Sequence, residues 1–76
     1  MSKLKEMRQK TCLTQVQLAE KAEINLRVLQ HYEQGSKNFD HARLDTLLKV
    51  CLTLDCKLAD VIESQDYVDL LHKYES

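Results

Sequence analysis

No proline interrupts this chain, and its one glycine, Gly35, stands near the middle. With so little to break a helix, and with Leu, Lys, Glu, Gln and Ala abundant, the backbone is steered towards helix and away from strand. At 76 residues, the helices must share one domain with a small core and modest stability. An all-α fold is expected.

Local signals divide the chain. Leu4, Met7 and Arg8 share a face, which predicts a first short helix from about Ser2 to Lys10. Thr14 and Gln17 read as a capping box opening a second helix that ends near Ala22. Asn25 is a good N-cap for a third helix running to Gln34, and Gly35 stands where a left-handed cap is expected. Asp40 is expected to cap a longer fourth helix with Leu44, Leu47, Leu48, Cys51 and Leu54 inward. Leu58, Val61 and Ile62 predict a short fifth helix, and Tyr67 to Tyr74 an amphipathic tail.

The third helix poses the functional question. Leu29 and Tyr32 define its buried side, and at about 100° per residue Arg27, Gln30, His31 and Gln34 project to within about 50° of the opposite direction. Lys and Glu would serve water equally well there. Arg, Gln and His instead carry directional donors and acceptors suited to base edges and phosphates. Together with the second helix, and with Leu18, Ala19, Ala22, Ile24, Leu29 and Tyr32 inward, the segment matches a helix-turn-helix. Ala19 falls where the two helices cross. Glu33 would repel phosphate if it faced DNA, so it is expected to pair with a base such as Arg8 or Lys37.

Charge is uneven along the chain. Residues 1–50 carry a net +3 and residues 51–76 a net −4, within an overall −1. A mildly basic front permits DNA binding without demonstrating it. No apolar run approaches the ~20 residues of a membrane span, and the N-terminus lacks a signal-peptide core, so a cytoplasmic protein is expected. Cys12, Cys51 and Cys56 are odd in number and form no C-x-x-C pair, which argues against a disulfide framework or a zinc site. Cys51 reads as a small buried hydrophobe. A metal held by His31 and His41 would lack a third ligand nearby in sequence, and no cofactor is expected. With no glycine-rich phosphate loop, paired-carboxylate cleft or Ser/His/Asp arrangement, an enzyme is not expected either.

The stretches LKEMRQKTCLTQVQLAEKAEINLRVLQHYEQGSKN and LDTLLKVCLTLDCKLADVI resemble the Cro/C1-type repressor family, also called the XRE family, of bacterial and phage DNA-binding regulators. The basic leading helix, the Leu-Thr-Gln start, the Leu-Ala pair, the Tyr-Glu-x-Gly exit and the leucine-rich fourth helix occur in register. The resemblance spans roughly Leu4 to Glu63. It implies a five-helix lambda-repressor-like bundle over residues 1–63 whose third helix enters the major groove of double-stranded DNA, usually as a homodimer on a palindromic operator. Leu26, Arg27 and His31 match base-reading positions, and Gln30 shares their face. Gln15 matches a phosphate-contacting position at a helix start. Gln34, Lys37, Asn38 and His41 match the stretch that follows the DNA backbone.

Two departures stand out. The turn residue, often Gly in the family, is Glu23, which would cost on the order of 1 kcal/mol if the turn needs positive φ. Leu26 is apolar where a polar reader is frequent; it could touch a thymine methyl, pack on Phe39, or mark a helix that reads DNA poorly. Residues 64–76 form a C-terminal helical extension whose Tyr67, Val68, Leu70, Leu71 and Tyr74 either dimerise or fold back. The competing function is a protein-interaction module on the same fold, an antitoxin-like or partner-neutralising regulator.

Overall fold

The computed structural model describes residues 2–76, all-helical with no strand among them; Met1, where the DNA-binding domain is expected to begin, lies outside the described residues. Five α-helices follow in order: α1 Lys3–Lys10, α2 Gln15–Lys21, α3 Leu26–Gln34, α4 Leu44–Leu54 and α5 Gln65–Glu75. Short 3-10 turns occupy Phe39–His41 and Leu58–Asp60. One core holds them together, with Leu4, Leu18, Leu29, Val50 and Val61 fully buried. α2 packs on α3 and α4, and α1 on α3 and the Leu58–Asp60 turn; α5 closes over that same turn.

The expected N-caps of α2 and α3 are present. The Thr14 hydroxyl accepts from the Gln17 amide at 3.1 Å while Gln17 Oε1 accepts from the Thr14 amide at 2.9 Å. Asn25 Oδ1 accepts from the amides of Arg27 and Val28 at 2.8 and 3.3 Å. Each satisfies N–H groups that the first helical turn leaves without partners.

The four leading helices also end alike. After each, one residue turns left-handed: Cys12 at φ 59°, Glu23 at 56°, Gly35 at 83° and Asp55 at 52°. The following amide reaches five residues back, from Leu13 to Arg8, Ile24 to Ala19, Ser36 to His31 and Cys56 to Cys51. This is the Schellman closure, in which a hydrophobic residue commonly follows the left-handed one. Here Leu13, Ile24 and Cys56 do so, packing against the core. Three of the four exits thus ask a side-chain-bearing residue to adopt a conformation that favours glycine. Glu23 is one of them, so the turn does need positive φ.

Three expectations need correction. Asp40 does not cap α4, which starts at Leu44 behind Arg43 with no side-chain cap. Its carboxylate instead accepts from the amides of Glu63 and Ser64 at 2.7 and 2.8 Å, joining the segment after α3 to the start of α5. The short helix expected around Leu58 to Ile62 is only a 3-10 turn, although Val61 and Ile62 are buried as anticipated. The Lys3 ammonium donates to the carbonyls of Ala59 and Ile62 at 3.2 and 2.8 Å, drawing both away from a helical ladder. Leu44 and Leu48 are not core: they are 64% and 44% exposed, and Leu52 is 81% exposed. The buried arc of α4 runs through Leu47, Val50, Cys51 and Leu54, and Leu44 and Leu48 lie about 70° and 110° from its centre.

Candidate nucleic-acid interface

Between its two caps, α3 spans nine residues. Leu29 has no exposed surface, Glu33 is buried, and the Tyr32 ring meets Phe39 edge-on at 5.1 Å between centroids. These anchors fix the rotation of the helix. Arg27 and Gln34 are left exposed on the other side, with Gln30 and His31 half-buried beside them. One ring nitrogen of His31, Nδ1, is shut in without a hydrogen-bond partner, so any contact the ring makes outside the fold goes through Nε2. Leu26, at the first turn, is half-buried and packs against the core.

Glu33 is the one acid in α3, and it faces inward. Arg8 donates to it twice, Nε to Oε2 at 2.8 Å and Nη2 to Oε1 at 2.9 Å, while Arg8 Nη1 reaches the Leu13 carbonyl at 2.9 Å. The Gln15 amide adds a third bond to Glu33 Oε1 at 3.1 Å. Arg8 is one of the two bases, with Lys37, that the sequence offers as a partner for Glu33. That Gln15 joins the pair is not legible in the sequence, because Gln15 stands 18 residues from Glu33 and only the crossing of α2 over α3 brings them together. The resulting outer face of α3 carries Arg27 and no carboxylate.

The remaining expected contacts lie along the exit from α3. Lys37 and Asn38 are exposed, and Asn38 Oδ1 caps the 3-10 turn through the Asp40 amide at 3.0 Å. His41 is also exposed, with Nε2 3.2 Å from the Tyr67 hydroxyl. Gln15 is half-buried and one Nε2 hydrogen goes to Glu33, leaving the second N–H and the main-chain amide as donors for other partners. Val16, beside it, is 50% exposed; an apolar residue in a capping box gives no sequence signal for that.

Among the described residues no three His, Cys, Asp or Glu side chains gather as metal ligands, and no helix is long and apolar enough to cross a membrane. Burial, reinforced by Cys56 nearby, pushes the Cys51 thiol up to about 12, and burial raises Cys56 as well. Neither is poised as a nucleophile. Residues 3–66 match the family model of the Cro/C1-type HTH DNA-binding domain. No curated protein matches the chain.

Proposed function

Because this chain belongs to the Cro/C1-type helix-turn-helix DNA-binding family, we propose that it is a transcriptional repressor that binds a palindromic operator as a homodimer, with α3 in the major groove. The observation that carries this reading is the inward turn of Glu33. With its one acid paired to Arg8, α3 offers phosphates and base edges a face of donors and acceptors without like-charge repulsion. Arg27 reads guanine through O6 and N7, with Leu26, Gln30 and His31 as its neighbours at the base edges. Gln15, Gln34, Lys37, Asn38 and His41 hold the phosphate backbone. The protein acts in the cytoplasm, without a cofactor and without catalytic chemistry.

Dimerisation falls to α5. Val68 and Leu71 anchor the helix on the bundle, leaving Tyr67, Leu70 and Tyr74 exposed for a second subunit. A second reading, a module that captures a protein partner, draws on the exposed Leu44, Leu48 and Leu52 of α4.

Selection of sites from a random duplex pool, followed by titration at two salt concentrations, tests the proposal. A palindromic consensus is expected, with binding that weakens steeply as salt rises because phosphate contacts release counterions. Arg27→Ala should cost about 1–3 kcal/mol in discrimination at one position of each half-site. Equal, weak binding to selected and scrambled duplexes would instead favour the protein-partner reading.

A further inference from the structure

Each left-handed exit brings two particular residues together. In the Schellman closure the residue after the left-handed one donates its amide five positions back, and the side chains of the two commonly touch. At the first three exits the pairs are Arg8 with Leu13, Ala19 with Ile24 and His31 with Ser36. At the end of α4 they are two thiols. The Cys56 amide donates to the Cys51 carbonyl at 3.1 Å, and the Asp55 amide completes the closure on Leu52 at 3.4 Å. On an unbroken helix residues five apart point about 140° away from each other, so it is the left-handed Asp55 that returns Cys56 to Cys51. Both pack in the one core, Cys51 buried and Cys56 half-buried. Their thiols act on each other as hydrogen-bond partners.

We propose that Cys51 and Cys56 form a reversible disulfide, a redox modification site whose oxidant is a small disulfide of the glutathione class. Cys56, the less buried of the two, is the entry sulfur. Its thiolate attacks one sulfur of the oxidant, forming a mixed disulfide and releasing one reagent thiolate. The Cys51 thiol gives its proton to that thiolate, attacks the Cys56 sulfur and expels the second reagent thiolate, which takes up the proton that Cys56 released. Two protein thiols thus lose two electrons and two protons, and one reagent disulfide becomes two thiols. Burial raises both protein thiols, so the exchange is slow at neutral pH and quickens as pH rises. The bond straddles Asp55 and fixes the link from α4 to the Leu58–Asp60 turn, over which α5 closes. Oxidation therefore tightens this corner of the fold, whatever α3 binds.

The test titrates the full chain in glutathione buffers of graded oxidised-to-reduced ratio at pH 8, as wild type and with the exposed thiol removed by Cys12→Ser. Cleavage after Lys49 and Lys57 releases both cysteines in one peptide, and mass spectrometry should find it lighter by two hydrogens. In the wild type the same peptide should appear beside a glutathione adduct on Cys12. Half-oxidation should need a ratio at least about tenfold lower in the native chain than in urea, because the closure raises the effective concentration of one sulfur at the other. By the thermodynamic cycle, the unfolding constant of the oxidised chain should fall by that same factor. A glutathione adduct accumulating on Cys56 while Cys51 stays reduced would overturn the proposal. So would a bond that forms no more readily in the native chain than in urea, or an oxidised chain that unfolds more easily than the reduced one.

Discussion

Arg8 and Glu33, 25 residues apart, form a two-pronged ion pair in which the carboxylate side chain keeps 2% of its surface and the guanidinium side chain 11%. Removing one partner leaves the other charge buried and uncompensated, which costs about 3–5 kcal/mol. For a domain of this size that is a large share of total stability. Urea unfolding should show Arg8→Met destabilised by about that amount, and Arg8→Met combined with Glu33→Leu should recover most of it. Equal loss in the double variant would mean that packing, not charge, dominates the site.

The left-handed exits make a prediction of opposite sign. Glu23 at φ 56° occupies a region that disfavours side chains, so Glu23→Gly should stabilise by about 1 kcal/mol, net of glycine's larger unfolded-state entropy. Thermal melts should rise by about 4–8 °C. Gly35→Ala should lose about 1 kcal/mol from strain alone, since a Cβ there would meet no heavy atom within 4 Å.

Exposure on α4 separates two leucines five positions apart. Leu47→Ala removes a buried side chain and should cost about 2–5 kcal/mol. Leu52→Gln changes an exposed one and should shift stability by no more than about 0.5 kcal/mol. Comparable losses in the two would contradict the rotation of α4.

Thiol chemistry should follow burial. Cys12 is exposed, Cys56 half-buried and Cys51 buried, so an alkylating reagent at pH 8 should label Cys12 first and Cys51 only on unfolding. The Cys51 shift also bears on alkaline stability. Folding holds the neutral thiol up to about 12 against an ordinary value of 9.0, so the unfolded chain loses its proton first. The associated stability is complete below pH 9 and is lost as pH rises towards 12. Cys51→Ala should be less stable at neutral pH and should show a shallower decline across that window.

What could be read from sequence divides along physical lines. The caps at Thr14, Asn25 and Gly35 were legible because the donor, the acceptor and the turn all lie within a few residues of one another. The buried side of α3 was legible because Leu29 and Tyr32 leave little freedom in its rotation. Asp40 was misassigned for the opposite reason. Its partners are the amides of Glu63 and Ser64, 23 and 24 residues onward, and a carboxylate just ahead of a helical pattern looks like a cap for that helix. α4 was misread because seven leucine, valine and cysteine positions in eleven residues hide which arc faces inward. The Leu58–Ile62 helix failed on a competitor invisible to periodicity, the ammonium of Lys3 from the other end of the chain.

Asp40 has a metrical consequence. Its carboxylate fastens the stretch expected to run along the DNA backbone to the N-cap of the helix proposed to dimerise. With no slack at that junction, the separation of two α3 helices in a dimer becomes a distance the fold measures out, and half-sites must match it at about one helical turn of DNA. One side chain would then act as a gauge, and loosening it as Asp40→Asn should broaden the range of half-site spacings tolerated before it weakens contact with either half-site.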